Sequence, residues 1–304
     1  MKVSKYLLNW VSNRASAKGL KPRTVDCYAD TVRKHIIPAI GSVKLRKLSA
    51  GGISAMLAAI VADGKSRTAE LVYTVLRTAL SDAVRAGLLH HSPMEEVPRP
   101  QHRAVQYQWL HSDQIAGYVA AAAVDRNAIA WLLALCCGLR RGELCGLRWS
   151  DIDLQHNLLH IRNQRQRLLS GQVVDISPKS GAGNRTIPLP PELVGLLLLN
   201  WQSSGYVCQS MRGAPYTPSG LDQAHASMLR RAGLQPVTLH GIRHTMGTQA
   251  ISAGVHIKVL QQLLGHSSYI TTAKYYAHVD MPAMVSAIDG ISAAVLSYSG
   301  RVST

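Results

Sequence analysis

The chain has 304 residues, with 33 Lys+Arg against 17 Asp+Glu and a formal net charge of +16, which is long enough for about two domains with real cores. A surplus of that size points to a polyanionic partner, and both residues 1–100 and the remainder are basic. One long nucleic acid touching both halves accounts for this better than a basic tail does. The five cysteines form no CxxC pair, and Cys136 and Cys137 fall in an apolar run. They read as buried free thiols of a reducing compartment and exclude a disulfide scaffold.

The first apolar stripe, Val3, Tyr6, Leu7, Trp10 and Val11, predicts a helix over residues 3–18 closed by Gly19. Its segment Tyr6 to Val11 is short and interrupted by Asn9, which argues against a signal peptide. A second helix is expected from Pro22, with Val25, Tyr28, Ala29, Val32 and Ile36 on one face and a stop at Pro38. Gly41 and Gly51-Gly52 then punctuate a connection carrying Lys44, Arg46 and Lys47. Two more helices follow, over residues 53–62 and 67–86, the second ended by Gly87. These four helices make a small basic domain over residues 1–92. Residues 93–108 contain Pro93, Pro98 and Pro100 and read as a linker.

A second domain, residues 109–304, opens at Trp109 with a helix cap at Ser112 or Asp113. Residues 127–139 predict a buried helix that delivers Arg140 at its end; they are too few to span a membrane, which needs about 20. A cation there is costly without an anion, so a salt bridge with Glu143 is one reading and a functional anion site the other. Arg141 reads as surface. From Leu158 the period changes to two, through Leu159, Ile161, Val173, Ile176 and Ile187, which predicts a three-stranded antiparallel sheet. Lys179 opens a hairpin tip, where an exposed turn lysine is the ordinary reading. Arg165, Arg167 and Arg185 are phosphate contacts or solvated charges, and sequence does not separate the two. Helices are expected over residues 193–203, packed on the core, over 219–231, and over 284–296 near the end. Gly233 ends the helix over 219–231.

The remaining stretch, Thr238 to Val279, contains LHGIRHTMGTQA and LLGHSSYITTAKYYAHV. On a helix His240 and Arg243 leave the same face. His266 follows, and then the phenols Tyr275 and Tyr276. Cationic and hydrogen-bonding groups beside a phenol suit a site that grips a phosphate and attacks it without a metal. Singly, a histidine near a helix is more often a satisfied polar residue and a tyrosine pair more often packing. His240 and His244 have metal-ligand spacing, but Arg243 between them would repel a cation and the glutamate of a zinc protease is absent.

Taken together, GLRRGELCGLRWSDIDL, PKSGAGNRTIPLP, HGIRH, LGHSS and YAHV resemble, in order, the motifs of the tyrosine recombinases, or phage-type integrases. The resemblance covers nearly the whole chain. It implies a mainly α fold with a small antiparallel β-sheet (α+β), in which a helical, SAM-like core-binding domain precedes the catalytic domain. No arm-binding domain is expected ahead of the first helix. The resemblance also implies catalytic Arg140, Lys179, His240, Arg243, His266 and Tyr276, with Glu143 as a supporting carboxylate and no cofactor or metal. Tyr275 lies nine residues after His266 and Tyr276 ten; the Tyr276-Ala277-His278-Val279 frame favours Tyr276, with Tyr275 as its neighbour. The expected partners are double-stranded DNA, further copies of the chain (a dimer on a core site, a tetramer in synapsis) and an accessory directionality factor. No membrane is expected, and the compartment is the cytoplasm of a bacterial host. Within this reading, phage or mobile-element integration leads; a chromosome-dimer resolvase, type IB topoisomerase-like relaxation and a non-catalytic DNA-binding regulator are the alternatives.

Overall fold

The computed structural model describes residues 1–17, 20, 22–102, 108–177 and 183–266. It forms two compact units, Met1–Gln106 with Leu168–Gln172, and Tyr107–Arg167 with Val173–Thr304. The expected helix over 284–296 lies outside the described residues. Among the described residues no helix is long and apolar enough to cross a membrane.

In the first unit, α1 (Val3–Ala17) buries the predicted stripe. The Tyr6 hydroxyl donates to the Ala79 carbonyl (2.6 Å) and the Trp10 indole to Asp82 (2.8 Å), so the helix is fixed by polar contacts as well as packing. The second helix does not stop at Pro38. After α2 (Pro22–Thr31) the chain widens into a π turn over Val32–Ile36 and continues as α3 (Ile37–Ile40). Proline lacks an N–H and its ring clashes with the carbonyl four residues back. The π turn, in which the Ile37 N–H reaches the Val32 carbonyl, accommodates it inside the helix. Gly51 and Gly52 are likewise helical: Ser49 caps α4 (Ala50–Ala62) by accepting from the Gly52 N–H at 3.2 Å. The long α5 (Ser66–Arg85) supplies eight buried residues to this core, and Gly87, at φ 69°, turns the chain away from it. Met94 and Val97, in the proline-rich stretch that reads as a linker, are buried against this core.

In the second unit, α6 (Ser112–Ala123) and the nearly all-apolar α7 (Ala128–Cys136) build a core centred on Trp131, Leu133 and Trp149. Cys137 is buried as expected, but Cys136 is exposed. After α8 (Arg141–Gly146), the sheet is not the single three-stranded one that alternation predicts. β1 (Ile152–Asp153), β2 (Leu158–Ile161) and β5 (Arg185–Pro188) form one antiparallel sheet, whereas β3 (Gln164–Arg167) pairs with β4 (Val173–Ile176) in a second. β3 reads Gln-Arg-Gln-Arg and has no apolar alternation to reveal it. It is held by close approach instead: a Cβ on Gly142 or Gly146 of α8 would sit 3.0 Å from the Gln164–Arg165 backbone. α9 (Pro191–Leu199) buries Leu193 and Leu197 but leaves Leu198 and Leu199 exposed, so the expected packing of residues 193–203 holds only in part. α10 (Pro218–Arg231), α11 (Leu239–Ser252) and α12 (Ile257–Leu264) complete the unit.

Candidate active site

The site is assembled around the C-terminal end of α12. Gly265 takes a left-handed conformation (φ 62°), its N–H donates to the Gln262 carbonyl (3.0 Å), and the His266 N–H donates to the Gln261 carbonyl (3.1 Å). This paired closure fixes where His266 leaves the helix, but it leaves the carbonyls of Leu263, Leu264 and Gly265 without helical partners. Each receives one guanidinium: Arg185 donates to Leu263 (2.7 Å), Arg243 to Leu264, and Arg140 to Gly265 (2.8 Å). Cations at the negative end of a helix are electrostatically favoured.

Arg140 reaches that point because Gly138, at φ 61°, turns the chain out of α7. A Cβ there would meet the Leu264 side chain at 2.8 Å, and the Gly138 carbonyl accepts from Arg243, so a side chain would cost both conformation and space. Arg140 stands just before α8. Three residues on, the buried carboxylate of Glu143 accepts from the Arg140 N–H (2.9 Å) and from its guanidinium (2.7 Å). Glu143 also receives a two-pronged bond from Arg185, at 3.0 and 2.9 Å. Burial raises its pKa, but the hydrogen bond and charge of Arg185, then the charges of Arg140 and Arg243, outweigh it and hold the carboxyl at about 2.

Arg243 and His240 come from the first turns of α11. Thr238 caps that helix through the Gly241 N–H (3.0 Å), and Gly241 is required because a Cβ would lie 2.2 Å from the Gln108 carbonyl oxygen. Arg243 is buried, whereas His240 keeps an exposed edge. Surrounding protein atoms, then Arg243 and Arg140, lower the His240 pKa; a position at a helix N-terminus acts in the same direction. Burial, then Arg243, Arg140, Arg185 and His240, pushes His266 down to about 4. His244 backs His240, with ring centroids 5.7 Å apart, and stacks on Trp109 at 6.2 Å. Burial, then His240 and Arg243, lowers it to about 4. In all three the shift favours the neutral imidazole, which can accept a proton or donate one hydrogen bond.

Five of the residues singled out by sequence, Arg140, Glu143, His240, Arg243 and His266, are thus brought into one electrostatically coupled cluster. Lys179, Tyr275 and Tyr276 lie outside the described residues. Arg141 lies on the surface, paired with Asp222. Of the three arginines whose role sequence left open, Arg185 joins the cluster, and the signal was present: it is two positions before the buried Ile187 on β5, so the pleat turns both inward. Arg165 belongs elsewhere, in a second cluster where Arg148, Arg165 and the Tyr206 hydroxyl share Asp175. Among the described residues no three His, Cys, Asp or Glu side chains gather in a way that could hold a metal ion.

Comparison with known proteins places this arrangement in a family. The phage integrase family matches residues 108–282. An integrase of Saccharopolyspora erythraea is 24% identical, covering 91% of this chain and 78% of that protein. The tyrosine recombinase XerC of Alcanivorax borkumensis is also 24% identical, over 92% and 91%. Among solved structures, the Tn1549 transposon integrase in complex with transposon right end DNA superposes with a TM-score of 0.82 at 19% identity, covering 96% of this chain and all of that one. The family match takes in more than half of the sequence, and the chain belongs to the phage integrase family, the tyrosine recombinases.

Proposed function

We propose that this site-specific recombinase uses Arg140, Arg243, His240 and His266 to grip one DNA phosphate while Tyr276 attacks it. The observation that supports the assignment is the convergence of two catalytic-motif arginines and two neutral imidazoles on the single turn that ends α12. Charge develops on the nonbridging oxygens during attack, and forked guanidinium donors held in advance at that place stabilise it. The phenol, with a reference pKa of about 10, must lose its proton as the Tyr276 oxygen–phosphorus bond forms. Neutral His240 accepts that proton. The bond from phosphorus to the 5′ oxygen breaks, and Lys179 donates a proton to the leaving oxygen. The product is a 3′-phosphotyrosyl link, which conserves the bond energy and allows a second 5′-hydroxyl to reverse the step. Glu143 holds Arg140 in place.

Integration and excision of a phage or mobile element is the reading we favour, on the strength of the integrase relatives. Similarity to a XerC recombinase keeps chromosome-dimer resolution as the second reading. The partners are double-stranded DNA and further copies of the chain, two on a core site and four in synapsis, with an accessory factor setting direction. The first helical unit is the core-binding domain and the second the catalytic domain, in a protein of the bacterial cytoplasm.

The test uses nicked duplex substrates that trap the covalent adduct. The wild-type chain and Tyr275→Phe form a protein–DNA adduct, also in excess EDTA, because guanidinium groups supply the positive charge. Tyr276→Phe forms none. Adduct from Tyr276→Phe but not from Tyr275→Phe would transfer the nucleophile to Tyr275, and strict dependence on added metal would overturn the mechanism. Joining of strands from two duplexes, as opposed to relaxation alone, separates recombination from a topoisomerase-like activity.

A further inference from the structure

Arg185 spends four of its five N–H groups on the protein itself and, being buried, has little left to offer a substrate. Its side chain is 6% exposed and Glu143 is 3% exposed. Of its five N–H groups, one donates to the Leu263 carbonyl, two to the Glu143 oxygens and one to the Gly183 carbonyl at 3.3 Å. Arg140 differs: its side chain is 34% exposed, and it spends one donor on Glu143 and one on Gly265. The remaining Arg140 donors are available to an anion. Both oxygens of Glu143 are shared between these arginines, each accepting one bond from Arg140 and one from Arg185.

We infer that Arg185 is a positioning residue of the active centre, which locks the Glu143 carboxylate that aims Arg140 and ties it to the α12 end that carries His266. This rests on the recombinase reading above. The geometry requires a planar fork: two parallel bonds to one carboxylate and a third, from Nε, to a main-chain carbonyl on another element. Lysine has the charge but not the fork. Without Arg185 the carboxylate keeps Arg140 but gains freedom to turn, and the Leu263 carbonyl loses its donor. A displacement of about 1 Å in such a constellation costs on the order of 10² in rate.

The experiment compares wild type, Arg185→Lys and Arg185→Gln in single-turnover adduct formation on a nicked duplex, with DNA affinity and urea unfolding measured in parallel. The Lys variant is expected to stay folded, bind the duplex within about threefold of wild type, and form adduct on the order of 10² more slowly. The pH profile supplies a readout that a mere strut would not move. His266 faces Arg140, Arg185, Arg243 and His240, so removing one cation raises its pKa. The Gln variant therefore shifts the acid limb of the rate profile to higher pH, and the Lys variant, which keeps the charge, does not. Adduct formation by folded Arg185→Lys within about threefold of wild type overturns the inference, as does a rate loss fully matched by lost DNA affinity. An acid limb that stays in place in the Gln variant overturns it too, and failure of both variants to fold makes Arg185 a folding residue instead. Absence of adduct from the wild-type chain refutes the recombinase reading itself, a result distinguishable from all of these.

Discussion

Two clusters in the second unit have nearly the same ingredients and opposite characters. In one, Arg140, Arg185 and Arg243 surround Glu143; in the other, Arg148 and Arg165 surround Asp175, with their guanidinium carbons 4.9 and 4.8 Å from the centre of the Tyr206 ring. The first is closed on itself by main-chain carbonyls and buries its carboxylate, 3% exposed. The second is open at one side, with the Arg148 side chain 47% and Asp175 24% exposed, while Arg165 is largely covered at 14%. Charges in the first are weakly screened and cannot be rehydrated in place, so removing one member exposes the full cost of the others. At the exposed Arg148 of the second, water substitutes for what is removed. Burial, more than the number of charges, separates a site from a surface ornament.

The sharpest way to break this contrast is to remove a guanidinium from the closed cluster. Arg140→Ala or Arg243→Ala is expected to lower single-turnover cleavage by on the order of 10² to 10³ or more, with duplex affinity mostly retained because phosphate contacts elsewhere supply it. Fluorescence anisotropy and adduct trapping on the same samples check both halves. Cleavage near the wild-type rate would remove the arginine concerned from the site.

Next in size is the carboxylate. Glu143→Gln leaves buried guanidinium charge uncompensated and is expected to cost roughly 3–5 kcal/mol in urea unfolding. The pH dependence gives an independent check. The Glu143 pKa is depressed to about 2 in the folded chain from the ordinary value of 4.5. Its stabilisation is therefore complete above about pH 4.5 and disappears as pH falls towards 2. The histidines act earlier. Burial lowers the buried His225, which bonds the Tyr118 hydroxyl, to about 4; His244 and His266 are lowered to the same level. Unfolding between pH 6.5 and 4 then takes up protons, and stability falls with pH through that window. His225→Phe should flatten this slope, measured as the change of the urea midpoint between pH 7 and 5. An unchanged slope would mean that the ring is charged when folded.

The smallest effect belongs to the open cluster. Arg148→Met should cost less than about 1 kcal/mol and leave adduct formation within a few fold. A loss as large as that of Glu143→Gln would erase the distinction between the clusters.

Much of this was legible from sequence because it rests on periodicity and punctuation. The stripe of α1, the apolar run of α7, and the glycines at 87 and 233 all behave as their local chemistry dictates. The spacing of His240 and Arg243 placed them on one helical face, and Arg140 at the end of a buried helix announced an anion. What escaped depends on contacts distant in sequence. The passage of the chain through Pro38 needs a widened turn whose hydrogen bonds no composition reveals. β3 is polar and exists because α8 presents glycines to it. Cys136 shares an apolar run with Cys137, yet only the latter faces inward. Arg185 looked like one more basic residue, since its partners lie 42 and 78 positions away.

The acceptors that orient the arginines have a consequence for how the site can be dissected. Four of them, the carbonyls of Gly138, Leu263, Leu264 and Gly265, belong to peptide bonds, which every residue carries. An alanine scan would be blind to them: Leu264→Ala would report lost packing, and any replacement of Gly265 the strain of its positive φ. Replacing single amides by esters, which weakens the carbonyl as an acceptor and leaves the side chain intact, addresses that half directly. It also follows that sequence drift can proceed around this turn while the oxygens facing the arginines stay chemically the same.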